Sequence, residues 1–285
     1  MKIAWNDNDI HESEYDFEWL KARNFGDEAR GDYLKKYYRP EKKLWSKKDL
    51  QFEQFDFREL VESDLTLYKW LRCMAVNGTA IISNTPQEER SARVIADRVG
   101  FIRKTHYGEE FEVKAKEGTA NVAYLSENLQ IHTDLPYYAY VPGANLLHCL
   151  VQSKSQGAQN LLADGFYVAE LMRNEFPQEY YLLSTVVVNW SDIGLEKETS
   201  SVPFHSIYRA PMFCFDYDNN LERINHSIPQ RDSFFSVNVK VVREWYKALR
   251  KFVDLIHAEA VEFKTKEGEN FSTMLEKKKN CDFYQ

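Results

Sequence analysis

The sequence contains no run of 18 apolar residues, so nothing in it reads as a membrane-spanning helix. It also lacks a surplus of positive charge. Lys and Arg number 37 against 44 Asp and Glu, a net charge of −7, and the lysine runs are short. That balance leaves no electrostatic footprint for nucleic acid. The four cysteines, at 73, 149, 214 and 281, show neither metal-ligand spacing nor a disulfide pattern, and read as free thiols of a reducing compartment. The opening stretch from Met1 to Asp7 has neither the apolar centre of a secretory signal nor the Arg-rich, acid-poor character of a transit peptide. The expectation is a cytoplasmic protein, with a mitochondrial location as the alternative. No internal repeat and no low-complexity linker marks a sharp domain boundary.

What is present is aromatic weight. Of 285 residues, 14% are aromatic (17 Tyr, 18 Phe, 6 Trp), which suits a β-rich core or an aromatic-lined pocket. The length allows one large domain with a small appendage. Residues 1–56 are acidic, aromatic and irregular, with a helical pattern over Asp27–Tyr38, and read as a small N-terminal lobe. From Asp64 the pattern sharpens. Leu67, Trp70, Leu71 and Met74 keep helical spacing up to Asn77-Gly78. Residues 78–83 then read as a buried strand, and Thr85-Pro86-Gln87-Glu88 as a capping box opening a helix to Gly100. Residues 145–152 and 161–164 read as strands around a hairpin at Ser155-Gln156-Gly157, followed by a helix over Phe166–Asn174. Apolar runs at 186–188 and 212–215 suggest further strands, and Val239 to Ile256 keep helical spacing throughout. After Phe263 the apolar content falls and residues 269–285 read as a divergent, frayed tail. Short strands joined by tight turns point to an antiparallel barrel or jelly roll.

One triplet carries chemistry. In Leu129-Gln130-Ile131-His132-Thr133-Asp134-Leu135-Pro136, an imidazole and a carboxylate stand two residues apart and would project from one face of an extended strand. Together they are two thirds of a 2-His-1-carboxylate triad for non-haem iron. Alone, the spacing is a weak signal.

The surrounding residues strengthen it. Asn121-Val122-Ala123-Tyr124 precedes His132-Thr133-Asp134-Leu135-Pro136; after it come Pro142-Gly143, Leu146-Leu147-His148-Cys149, Asp164-Gly165-Phe166, Ser191-Asp192-Ile193-Gly194 and Arg223-Ile224-Asn225. In order and approximate spacing, from about residue 3 to 268, these motifs resemble the γ-butyrobetaine dioxygenase family of TauD-like Fe(II)/2-oxoglutarate oxygenases. The resemblance implies an α+β fold, mainly β with flanking helices, whose oxygenase domain over 57–268 is a double-stranded β-helix incomplete at its C-terminus. It implies His132 and Asp134 as iron ligands, 2-oxoglutarate as co-substrate and ascorbate as reductant. It also implies a small trimethylammonium substrate hydroxylated in carnitine biosynthesis, a homodimer, and no nucleic-acid or membrane partner. Tyr107, Phe111 and Tyr124 fall on the family's aromatic-cage positions, Asn121 on a position that binds the substrate carboxylate, and Ser227 on a further substrate position.

The departures are specific. Phe111 stands where one type of γ-butyrobetaine enzyme in the family has Trp, Leu135 where that type has Tyr, and Ser227 where it has Asn, which brings a trimethyllysine dioxygenase-like enzyme in as the alternative. The family's D-N-W-R-x-x-H-G-R-like segment supplies its second iron histidine and its 2-oxoglutarate arginine. This chain has no histidine after His257 and no arginine after Arg250, so no residue is assigned to the co-substrate. The expectation is a truncated form with impaired activity, or a non-catalytic family member. The cysteine-rich N-terminal zinc module of the family's longer members is likewise expected to be missing from this form. Against these readings, His148 is expected to be a satisfied core histidine, Glu109 and Glu110 solvated, and Lys277-Lys278-Lys279 a solvated tail.

Overall fold

The computed structural model describes residues 1–6, 11–38, 40–113, 129–154, 158–194 and 203–274. Two compact units divide the chain, Met1–Lys43 and Leu44–Gln285. In the first, β1 (Lys2–Ala4) and β2 (Glu12–Glu14) form an antiparallel ribbon. Helix α1 (Phe17–Ala22) is capped by Asp16, and α2 (Asp27–Tyr37) occupies the expected helical stretch. Asp27 and Glu28 sit in its first turn and Lys35 and Lys36 in its last, charges that complement the helix dipole.

Residues 44–56, expected in the lobe, belong instead to the second unit. The reason is packing. Trp45 is buried against Ile81, Leu162 and Phe271, its backbone N–H donates to Asp164 Oδ2 at 2.9 Å, and β3 (Gln54–Asp56) runs parallel to β4 (Thr79–Ser83). Helix α3 (Phe57–Glu62) is capped by Asp56 and α4 (Asp64–Asn77) by Ser63. Gly78, at φ +82°, ends α4 in the left-handed conformation that glycine adopts without strain. The capping box at Thr85 does not form. Helix α5 (Ser91–Val99) starts six residues later. Thr85 is used elsewhere: its N–H donates to Gly268 O at 2.8 Å, and its hydroxyl accepts from Asn270 Nδ2 at 3.0 Å.

The largest sheet has the order β3-β4-β13-β5, with β5 at Ala144–His148 and β13 at Asn270–Met274. Strand β13 overturns the frayed-tail expectation for those residues, since it lies in the middle of the sheet with Asn270, Ser272 and Thr273 fully buried. Its low hydropathy is compensated by hydrogen bonding. Ser272 Oγ donates to Ala80 O at 3.0 Å and accepts from Trp70 Nε1 at 3.1 Å, which removes the cost of burying a hydroxyl. One face of the sheet carries Leu60, Trp70, Met74, Ile82 and Ile95, from α3, α4, β4 and α5. The expected hairpin partners separate: β5 pairs with β13, whereas β6 (Asn160–Leu162) pairs with β12 (Val261–Phe263). The hairpin tip at 155–157 lies outside the described residues.

A second sheet, β11 (Arg231–Phe235), β7 (Val188–Gly194) and β8 (Phe204–Ala210) in that order, is joined by the ribbon β9 (Phe213–Phe215) and β10 (Leu221–Ile224). Helices α6 (Gly165–Glu175), α7 (Pro177–Thr185) and α8 (Val239–Ala258) complete a core containing Trp190, Phe213, Trp245, Phe252 and Ile256. The candidate segment is tied into this core through Thr133. Its N–H donates to His226 O at 2.6 Å, and its hydroxyl accepts from His226 N–H at 2.9 Å. The His226 ring lies edge-on to Phe252, with centroids 5.2 Å apart. Burial holds the His226 pKa down at about 3, with His132 and His257 opposing its charge.

Two stability tests follow from these contacts. Asp164 is 1% exposed; besides holding Trp45, its Oδ1 accepts from Phe166 and Tyr167 N–H to cap α6. Asp164→Ala should cost about 2–4 kcal/mol in urea unfolding, against about 1 kcal/mol for removing the exposed cap Asn238 of α8. An equal cost for the two would contradict the buried role. His226 stays neutral in the folded chain, while the unfolded chain binds its proton near the ordinary 6.5. Its contribution is therefore whole above pH 6.5 and is lost as pH falls towards 3, by about 1.4 kcal/mol per pH unit. Between pH 4 and 6, His226→Gln should flatten the stability profile by about that slope; an unchanged slope would show that the ring is not held neutral.

Candidate functional site

His132 and Asp134 meet, though not on a strand. The chain from 131 to 135 belongs to no named β-strand, and its direction is set by the Thr133–His226 pairing. Residues i and i+2 still turn to one side. His132 Nε2 lies 3.1 Å from Asp134 Oδ1, with the two side chains 12% and 27% exposed. His132 Nδ1 lies 2.9 Å from Gln130 O, an oxygen that can only accept, so Nδ1 carries the proton. In the neutral ring Nε2 is then an acceptor facing an acceptor. Asn145 on β5 donates to Asp134 Oδ2 at 3.1 Å, occupying one carboxylate oxygen and leaving Oδ1 for the pair. Two acceptors at this separation require a proton or a metal cation between them, and each has the outer partner that orients a metal ligand. The donor set, one imidazole nitrogen and one carboxylate oxygen, fits iron as two of its ligands. Among the described residues no third His, Cys, Asp or Glu joins them in a metal-binding group.

Beyond Asp134 the chain enters an aromatic cluster. His106 lies between Tyr107 and Phe204, at centroid distances of 3.9 and 3.8 Å, and its Nδ1 is 2.6 Å from Tyr138 OH. Burial lowers the His106 pKa, opposed by the Asp192 carboxylate nearby. Tyr137 is 1% exposed; its phenol pKa is pushed up by burial, with Tyr107 and Asp192 adding. Ser206 on β8 fixes this stretch by donating to Tyr137 O at 2.8 Å.

Of the residues expected from the sequence, His132 and Asp134 are brought together. Tyr107 is buried, with its ring tilted against that of Phe111 at 5.4 Å between centroids, and Phe111 is 48% exposed. Ser227 is buried beside His226, whose backbone pairs with Thr133. Asn121 and Tyr124 lie outside the described residues. Glu109 and Glu110 are not simply solvated: Arg93 on α5 bonds them at 2.7 and 3.2 Å, holding the turn that carries Tyr107. His148 is not satisfied either. Its Nε2 is buried with no hydrogen-bond partner among the described residues, and burial lowers its pKa. Sequence reasoning missed Asn145, His106, Tyr137 and Tyr138. Tyr137 and Tyr138 follow the His-x-Asp motif after Leu135-Pro136 and were open to notice; Asn145 and His106 reach the site only through the fold.

The chain is 32% identical over 262 residues to the human protein named gamma-butyrobetaine dioxygenase, a match covering 92% of this chain and 65% of that one. It is 28% identical over 252 residues to the mouse protein named trimethyllysine dioxygenase, mitochondrial, covering 87% of this chain and 57% of the relative. The chain thus spans less than two thirds of the length of the curated relatives it matches. In fold it is similar to an asparagine oxygenase solved with Fe(II), hydroxyasparagine and succinate, at a TM-score of 0.57 and 12% identity, covering 81% of this chain and 87% of that one. The family model described as taurine catabolism dioxygenase TauD, TfdA family matches residues 39–270. With a His-x-Asp pair oriented from both sides and that match spanning most of its length, the chain belongs to the TauD/TfdA dioxygenase family.

Proposed function

We propose that this chain carries the His132–Asp134 part of the iron site of a 2-oxoglutarate-dependent dioxygenase acting on a trimethylammonium substrate. The supporting observation is the 3.1 Å approach of His132 Nε2 to Asp134 Oδ1, with Nδ1 held by Gln130 and Oδ2 by Asn145. Bound there, iron together with 2-oxoglutarate would supply oxygen activation and hydroxylation of an unactivated C–H bond. The chain's own residues bind and orient. Gln130 fixes the imidazole tautomer, Asn145 directs the carboxylate, and Tyr107 and Phe111 offer ring faces to a cation that cannot donate a hydrogen bond. Asn121, Tyr124 and Ser227 are proposed as further substrate contacts. γ-Butyrobetaine, giving L-carnitine, is the substrate favoured by the relatives' names and by the aromatic positions. Trimethyllysine is the second choice, because Phe111, Leu135 and Ser227 depart from the γ-butyrobetaine pattern. Ascorbate as reductant, a homodimer and a cytoplasmic location belong to the same proposal, with the mitochondrion as the alternative named in the trimethyllysine relatives. Among the described residues no helix is long and apolar enough to cross a membrane.

The test is succinate release from 2-oxoglutarate with γ-butyrobetaine or trimethyllysine added, alongside Fe(II) titration without oxygen. His132→Ala and Asp134→Ala should each abolish specific Fe(II) uptake, and Asn145→Ala should weaken it about 10–100-fold, as for an outer partner of a ligand. γ-Butyrobetaine should stimulate succinate release more than trimethyllysine. Fe(II) affinity indifferent to all three substitutions would sink the assignment, and the opposite substrate order would shift it to the second choice.

A further inference from the structure

Arg223 on β10 is 7% exposed. A charge taken that far from water must be hydrogen-bonded, and here the guanidinium fork is directed at one short stretch of backbone. Nη2 donates to Pro136 O at 3.1 Å and Tyr138 O at 3.0 Å, and Nη1 donates to Ala139 O at 3.2 Å. The guanidinium lies 4.9 Å from the centre of the Tyr208 ring on β8, which fixes it from the side. The clamped stretch begins two residues after Asp134, and the residue between them is strained: Leu135 has φ +54°, left-handed backbone that a residue with a side chain adopts only under constraint. Tyr138 N–H closes the turn on Leu135 O at 3.1 Å. Strained conformations persist where the surroundings over-determine them, and Arg223 bonds the residues that directly follow Leu135.

We propose that Arg223 is a positioning residue for Asp134. By holding the carbonyls of Pro136, Tyr138 and Ala139, it keeps Leu135 left-handed and so aims the Asp134 carboxylate at His132. The role of Asp134 rests on the iron-site proposal; the clamp on the turn does not. Lysine cannot replace the fork, because a compact ammonium does not present parallel donors in fixed geometry.

The experiment uses the full chain, comparing wild type with Arg223→Met, Arg223→Lys, Asp134→Ala and the double variant Arg223→Met with Leu135→Gly. Two quantities are read: amide hydrogen exchange along the chain, and Co(II) affinity from the cobalt spectrum without oxygen. Arg223→Met should speed exchange at the Tyr138 amide tenfold or more while α8 keeps its protection, and should weaken Co(II) binding tenfold or more. Arg223→Lys should fall between wild type and Arg223→Met. Glycine at 135 should restore part of the Tyr138 protection, since it takes positive φ without strain. Exchange rising evenly through α8, an unchanged Tyr138 amide, or Co(II) affinity equal to wild type would each overturn the proposal. If wild type takes up no Co(II), or Asp134→Ala takes it up equally, the iron-site assignment fails instead, and the Tyr138 exchange alone decides whether Arg223 holds the turn.

Discussion

Two hydrogen-bond acceptors repel unless something positive lies between them, and the structure holds two of them 3.1 Å apart: His132 Nε2 and Asp134 Oδ1. Neither could simply turn away. The imidazole is fixed by Gln130 O behind it and the carboxylate by Asn145 beside it. A surface His–Asp pair would relax into water; this one is partly buried and oriented from outside, the arrangement that metal ligands need for preorganisation.

Much of the surrounding fold keeps that geometry. The segment 131–135 belongs to no named β-strand, and it takes order from neighbours: Thr133 from the His226 backbone, the following turn from Arg223, and Tyr137 from Ser206. Asn145 reaches Asp134 because β5 is paired along its length with β13, and β13 in turn with β4. The sheet and the site are therefore linked through the part-buried Asn145–Asp134 hydrogen bond. Disturbing the middle strand should be felt at the carboxylate.

How much of this the sequence disclosed depends on the kind of signal. Periodic apolar spacing located α4 and α8, and the Asn77-Gly78 pair located the end of α4, because burial on one helical face and a left-handed cap are local requirements. The His-x-Asp pair was legible as chemistry before any fold was known. Strand β13 was not, because Asn270, Ser272 and Thr273 look like tail residues until Trp70, Ala80 and Thr85 are placed around them. The helix start at Thr85 failed for a related reason: its hydroxyl had a better partner 185 residues away. Arg223 belongs to the same class. In sequence it was part of a motif of unassigned purpose; in the fold it reaches the turn that follows Asp134.

The most direct measurement is a crystal grown with Fe(II) in the absence of oxygen, with anomalous scattering collected at the iron edge. A single strong peak about 2 Å from both His132 Nε2 and Asp134 Oδ1 is the expected result. A well-ordered His132–Asp134 pair with no peak between them, or iron bound at other residues, would contradict the central claim that these two acceptors are held together to share a metal.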